Sequence, residues 1–397
     1  MDLSVQNLMS PVRVVSMKTI DMDTLNDVLL FTAKKPVERI CVISDPYQVP
    51  AREKLIEKLR SKYELTVLTR VQPDPLTEDI ISMLPECGNP DIFIGIGGGS
   101  VLDSAKAVSM LYGNTLNPDE FFSGKAGSSA SARKFPLVLI PTTAGTGSEV
   151  TRVGVYRDTG NRKHTVGSPP LFADTAVLIG ELTAGMPPAL CAATGFDALS
   201  HALESVWNKN ATPATLRASA RAARAVLENF EPLYDALTGT INLDSSALYD
   251  RALSMTEAAC MAGMAFSITG TAMGHAISFI LGEEWHVPHG KACAFTLEDC
   301  FMFVSQYEAV KERLIALAEY IFPVTKGESA LAMLYDTIVR TKKKMNLPFT
   351  FKDMNITITR NEIEKLFARS FDDPKMKNTL PLPDEKTVYD LLEKKIC

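Results

Sequence analysis

Four short apolar runs, Arg39–Ser44, Leu65–Val71, Asp91–Gly97 and Leu137–Ile140, constrain what this chain can fold into more than any other feature. Each is too short to be a helix of its own. Their Val- and Ile-rich composition is that of strands buried on both faces. Between them lie longer amphipathic stretches such as Val49–Lys62 and Val101–Leu111. Parallel neighbours need a crossover and a helix supplies it, so this alternation predicts a parallel, doubly wound α/β sheet. Val153–Tyr156 and Ala176–Ile179 are further strand candidates.

After about residue 182 the texture changes. Long Ala-, Leu-, Met- and Glu-rich stretches follow at 189–208, 213–231, 246–265, 270–282, 306–320, 327–344 and 385–396, with apolar residues at helical spacing. Thr183-Ala-Gly-Met-Pro-Pro188 is a natural break, since Pro-Pro continues neither element. The reading is an α/β domain over 1–182 and an all-helical domain over 183–397. A chain of 397 residues suits two domains of roughly 150–200 each.

A formal charge of −6 offers no basic field, so neither nucleic acid nor a membrane surface is expected as a partner. The seven cysteines are scattered and form no CxxC pair, which suits a reduced compartment better than a disulfide framework. Met1-Asp-Leu-Ser-Val-Gln-Asn7 lacks the basic and apolar regions of a signal peptide. No apolar run reaches the roughly 18–20 residues of a spanning helix. A soluble, cytoplasmic protein is expected; a small-molecule partner and a homo-oligomer, a dimer, are expected too, though composition does not carry either.

Gly95-Ile-Gly-Gly-Gly-Ser100 follows a strand and precedes a helix. Gly97, Gly98 and Gly99 carry no Cβ to keep a phosphate from the backbone N–H groups, and the helix N-terminus adds its dipole. Ser100-Val-Leu-Asp103 fits a capping pattern, with Ser100 as N-cap. A tight turn needing positive φ explains one of these glycines easily and three poorly. Asp45 ends the first strand, where an acid can accept hydrogen bonds from an adenosine ribose and repel a 2′-phosphate. It precedes the glycine loop by about fifty residues, whereas the usual dinucleotide order puts the acid about twenty after it. Pro141-Thr-Thr-Ala-Gly-Thr-Gly-Ser-Glu149 is a second polar loop at a strand's carboxyl end, offering the hydroxyls of Thr142, Thr143, Thr146 and Ser148.

The helical half carries different chemistry. Asp197 and His201, at i and i+4 in Gly195-Phe-Asp-Ala-Leu-Ser-His-Ala-Leu-Glu204, project from one helix face. Gly274-His-Ala-Ile-Ser and Val287-Pro-His-Gly add His275 and His289. The chain has five histidines, and three fall in this set. Imidazole and carboxylate together suit Fe²⁺, Zn²⁺ or Mn²⁺ without separating them. A single such histidine is more often a satisfied core residue, but four such ligands in one pattern read as a metal site.

Together, GGGSVLDSAK (97–106), PTTAGTGSEVTR (141–152), GFDALSHALE (195–204) and GHAISFILGEEWHVPHG (274–290) resemble the iron-containing (group III) alcohol dehydrogenase family. The resemblance implies an α/β dinucleotide-binding domain followed by an all-α domain, the dehydroquinate-synthase-like architecture. It implies NAD(H) with its pyrophosphate at Gly97–Ser100, contacts from Asp103, Thr142 and Thr143, and Asp45 selecting NAD over NADP. Thr146, Ser148 and Lys163 are counted with the cofactor-binding set. Asp197, His201, His275 and His289 carry over as metal ligands and as the catalytic centre, holding a divalent ion, Fe²⁺ or else Zn²⁺ or Mn²⁺. Two positions depart from the pattern. Phe279 stands where many members carry a further histidine, which excludes a proton relay through that side chain. Ile179-Gly180 replaces the usual Asp-Pro.

The stretches SITGTAMGHAISF and SHALESVWN resemble the branch that includes phosphonoacetaldehyde and sulfoacetaldehyde reductases. The implied reaction is hydride transfer between NADH and a small anionic aldehyde. Neutral aldehydes or diols, of the lactaldehyde, butanal or 1,3-propanediol type, are the alternative, and a dehydroquinate-synthase-like lyase is the remoter one. A substrate anion needs a cationic partner. Arg152, Arg162 and Lys163 are the sequence candidates, although each taken singly reads first as a solvated surface charge.

Overall fold

The computed structural model describes residues 9–124 and 132–396. The Met1–Asn7 stretch read for a targeting signal and Cys397 lie outside the described residues. Among the described residues eight strands form: β1 (Arg13–Met17), β2 (Arg39–Ile43), β3 (Glu64–Leu68), β4 (Ile92–Gly97), β5 (Leu137–Pro141), β6 (Val153–Arg157), β7 (Lys163–Gly167) and β8 (Thr175–Ile179). Six make one sheet in the order β1-β8-β5-β4-β2-β3, and β6 pairs with β7 separately. Every pair in the large sheet is parallel, in registers such as Val14↔Ala176, Ile40↔Ile92 and Ile94↔Val138, while β6–β7 is antiparallel.

The helices are α1 (Met22–Ala33), α2 (Pro50–Arg60), α3 (Thr77–Met83), α4 (Gly99–Leu111), α5 (Pro118–Phe122), α6 (Gly180–Thr183), α7 (Pro188–Val206), α8 (Pro213–Leu237), α9 (Ser245–Thr269), α10 (Met273–Trp285), α11 (His289–Val304), α12 (Glu308–Ile321), α13 (Gly327–Lys344), α14 (Arg360–Phe367) and α15 (Glu385–Glu393). Among the described residues no strand follows Ile179; Asn208 and Thr379 form an isolated bridge. The α/β-then-helical reading therefore holds.

Two compact units result. The first runs to Pro187 and also takes Asp235–Cys260; the second comprises Pro188–Tyr234 and Met261–Cys397. In the first, Ile40, Val42, Ile92, Ile94, Val138 and Val177 form one core with Leu25, Val28 and Leu29 of α1 and Leu55, Ile56 and Leu59 of α2. Burying each such side chain stabilises by about 1.5–3 kcal/mol. The apolar face of α1 follows helical spacing, and its start is fixed by Asp21, whose side chain accepts from the Asp23 N–H.

In the second unit the carboxylate of Glu298 on α11 accepts from Lys342 of α13 at 2.6 and 2.7 Å and from Lys395 at 3.0 Å. All three are buried. This ion cluster pins α11, the helix that begins at His289. The six described cysteines are buried and free.

Candidate functional site

The strand order makes a switch point in the first unit. From β2 the chain moves to β3 on one side, then returns across β2 to place β4 on the other. Open α/β sheets bind ligands outside the carboxyl ends of the strands at such a point. Asp45 follows β2, and Gly97 ends β4 with Gly98 and Gly99 directly after it, so both sequence candidates flank it. Ser44 Oγ donates to the Ile96 carbonyl at 2.7 Å and ties these two strand ends together.

The glycines divide by role. Gly97, Gly98 and Gly99 all have negative φ, so none serves a left-handed turn. A Cβ on Gly97 would stand 2.5 Å from Val101 Cγ2, and one on Gly99 2.6 Å from Thr146 Cγ2. Those two are required by close packing. At Gly98 a Cβ would meet nothing nearer than Thr143 Cγ2 at 3.5 Å, so of the three this position alone is open. Gly98, not Ser100, is the N-cap of α4, and no side chain caps the helix. Ser100 lies inside the first turn and its Oγ instead accepts from the Asp74 N–H at 3.2 Å. The capping pattern read in the sequence is thus corrected: an extended Gly98 brings the helix in two residues earlier, and its carbonyl accepts from the Val101 and Leu102 N–H groups at 2.9 and 3.1 Å.

Thr142 N–H donates to the Gly97 carbonyl at 3.0 Å, binding the second polar loop to the first. Asp103 turns inward: one oxygen accepts from Ser148 Oγ at 2.6 Å and the other from the Val155 N–H at 2.9 Å. Lys106, fully buried, donates to Ser148 Oγ at 2.7 Å and the Val153 carbonyl at 2.7 Å. Asp103 and Ser148 therefore hold the two loops in place. Asp45 accepts from Arg52 Nη1 at 2.5 Å, beside a cavity of about 420 Å³ lined by Asp45, Tyr47, Gln48, Arg52, Glu53 and Thr69. Lys163 opens β7 and pairs with Asp74 at 2.9 Å. Arg152 and Arg162 are exposed.

In the second unit the four metal candidates meet. Asp197 Oδ1 stands 3.7 Å from His201 Nε2 and 3.6 Å from both His275 Nε2 and His289 Nε2. α7 supplies the first two, α10 the third, and α11 begins with the fourth. Those separations are too long for hydrogen bonds. Asp197 Oδ1, His275 Nε2 and His201 Nδ1 are buried with no hydrogen-bond partner. Orphaned buried polar atoms are costly, and those on Asp197 and His275 converge where a cation would satisfy them, so these residues fit a divalent ion.

Burial opposes the charge on Asp197, but the imidazoles beside it outweigh this and hold the carboxyl well below its usual range. Burial pushes His201 down to about 4, which keeps its ring neutral, the form a metal needs. Behind His275, Glu204 Oε2 lies 2.9 Å from Nδ1, and Glu204 Oε1 accepts from the His275 N–H at 3.1 Å. A Cβ on Gly274 would stand 2.5 Å from Glu204 Oε1, so only glycine admits this approach. His201 stacks on Phe266, with ring centroids 4.2 Å apart.

Two residues of this cluster escaped the sequence reading. Glu204 lies at i+3 from His201 on the same helix, and Cys293 at i+4 from His289; both spacings were available as signals. The Cys293 spacing went unseen because α11 was not recognised as a helix.

Both halves of the chain match one family. Residues 21–179 match the iron-containing alcohol dehydrogenase pattern and residues 191–396 the C-terminal pattern of the Fe-containing alcohol dehydrogenase family. A 1-propanol dehydrogenase, PduQ of Citrobacter freundii, is 33% identical over 78% of this chain and 80% of its own length. The chain belongs to the iron-containing alcohol dehydrogenase family.

A sulfoacetaldehyde reductase of Bilophila wadsworthia is 41% identical over 52% of this chain, and the match spans about half the length of that relative, 50%. The crystal structure of a sulfoacetaldehyde reductase from Bifidobacterium kashiwanohense in complex with NAD⁺ shares the fold, with a TM-score of 0.84 and 24% identity over 98% of this chain and 97% of that one. Among the described residues no single helix is long and apolar enough to cross a membrane.

Proposed function

We propose that this chain is a metal- and NAD(H)-dependent alcohol dehydrogenase that works as a cytoplasmic aldehyde reductase, on a small aldehyde bearing a sulfonate or phosphonate. The observation that carries the reading is the convergence of His201, His275 and His289 on Asp197, all buried except the partly exposed His289. When bound, a divalent ion supplies Lewis-acid polarisation of a substrate oxygen and NAD(H) supplies the hydride.

The chain's own residues do the rest. Asp197 contributes the negative charge that offsets the ion. Glu204 orients His275. Gly98 and the first turn of α4 receive the pyrophosphate, and Asp45 receives the adenosine ribose. Phe279 neither gives nor takes a proton, so no side chain at that position relays one to the alcohol.

Support for an anionic substrate comes from the sulfoacetaldehyde reductase relative and from one cation. Lys375 Nζ lies 3.8 Å over the Phe279 ring, whose centroid is 6.1 Å from that of His289. An ammonium, paired with Asp373 Oδ2 at 3.1 Å, thus stands two contacts from the cluster. The propanol dehydrogenase relative, matched over more of its length, favours a neutral aldehyde as the second reading. NADH oxidation with sulfoacetaldehyde, phosphonoacetaldehyde and propanal, compared by kcat/KM, separates them. Preference for propanal overturns the anionic reading and leaves the reductase; no turnover of any aldehyde overturns the reductase.

A further inference from the structure

The metal cluster contains a donor outside the four ligands that the family resemblance implies. Cys293 lies one turn after His289 on α11, is 1% exposed, and its Sγ is 3.6 Å from His289 Nε2. Asp197, His275, His289 and Cys293 each offer one ligand atom, and these four atoms all lie within 4.8 Å of one another. Bonds of about 2.0–2.3 Å around a tetrahedral ion give ligand–ligand edges of roughly 3.3–3.8 Å. The edges Asp197–His275, Asp197–His289 and His289–Cys293 are each 3.6 Å. Two of these ligand atoms, Asp197 Oδ1 and His275 Nε2, are buried and lack any hydrogen-bond partner.

A buried cysteine is ordinarily a small apolar residue. Cys191 and Cys260, also buried, sit in no such grouping. From this geometry we infer that Cys293 is a protein ligand to the divalent ion, an inference that rests on the metal-centre reading above. Its consequence is selectivity. Asp and His donors do not separate Fe²⁺, Zn²⁺ and Mn²⁺, but a soft thiolate favours Zn²⁺ and disfavours Mn²⁺. His201, whose Nε2 lies 3.7 Å from Asp197 Oδ1, stands beside this group of four rather than within it.

Cobalt(II) tests this without any assay of turnover. Metal-stripped wild-type protein loaded with Co²⁺ should show visible d–d bands together with a near-ultraviolet sulfur-to-cobalt charge-transfer band. Cys293→Ser should keep the visible bands and lose the near-ultraviolet one, while Cys191→Ser keeps both. Zn²⁺ affinity, measured by chelator competition, should fall by about 10–100-fold in Cys293→Ser, with Mn²⁺ affinity moving far less. Visible bands without the near-ultraviolet band in the wild type overturn the inference, and so does unchanged Zn²⁺ affinity in the variant. Absence of all bands in wild type overturns the metal-centre reading itself. If the variant fails to fold, the wild-type spectrum alone still decides.

Discussion

Glu204 grips His275 from behind: its Oε2 lies 2.9 Å from Nδ1, while Nε2 of the same ring points at Asp197 Oδ1 across 3.6 Å. A carboxylate behind an imidazole fixes which nitrogen carries the proton and makes the other a better donor to a metal. Glu204→Gln offers one acceptor where two are needed and removes the charge. Metal affinity should fall by about 10–100-fold. Metal content after dialysis against a graded chelator series measures it, and wild-type retention would show the brace to be idle.

His275→Ala should abolish turnover and bound metal while leaving the helical core, since the cavity lies in a polar cluster. Chelation of the wild type should lower its melting temperature by the mass-action loss of a ligand bound only to the folded state. The same chelator should leave the melting temperature of His275→Ala unchanged. An equal shift in both proteins would place the ion elsewhere.

Asp45 and Arg52, 2.5 Å apart, set the expected cofactor choice together. The carboxylate repels a 2′-phosphate and also occupies the guanidinium that could receive one. Wild type should prefer NADH. Asp45→Gly should narrow the preference over NADPH by about 1–3 kcal/mol, read from the two kcat/KM values. Equal use of both cofactors by the wild type contradicts this placement.

Lys375→Gln should raise KM for sulfoacetaldehyde by about 10-fold or more, on the scale of one lost charge-assisted hydrogen bond, and leave propanal nearly unchanged. A parallel rise for both aldehydes would instead mean that Lys375 supports the packing of Phe279.

Asp91 links stability to pH. Burial alone would raise its carboxyl, but Lys35 at 2.8 Å and the N–H groups of Arg39 and Glu38 override this and hold it at about 2. A depressed folded-state value stabilises above the unfolded value and is lost as pH falls, here between about 4 and 2. The contribution at neutral pH is about 2 kcal/mol. Urea midpoints for Asp91→Asn should fall below wild type at neutral pH and converge with it near the lower end of that window.

Much of this was readable in the chain. β2, β4, β5 and β8 are continuous apolar runs, buried on both faces, and announce themselves locally. β1 does not: Arg13-Val-Val-Ser-Met17 is short and half polar, and it exists as a strand through pairing with β8 far along the chain. β7 likewise depends on its hairpin partner β6. The Asp197–His201 pair was legible because helical spacing is a local rule. The inward turn of Asp103 was not, since its partners Ser148 and Val155 come from a loop and a strand that only the fold brings near.

Asp197, His201 and Glu204 fall at i, i+4 and i+7 on α7, within about 60° of arc at roughly 100° per residue. Adding one residue between Asp197 and His201 would swing His201 and Glu204 by about 100° and disperse the cluster, whatever residue was added. Here the count of residues is a stricter requirement than their identity. Insertions and deletions can drift through the surface loops of this protein, but the span 197–204 has a fixed length.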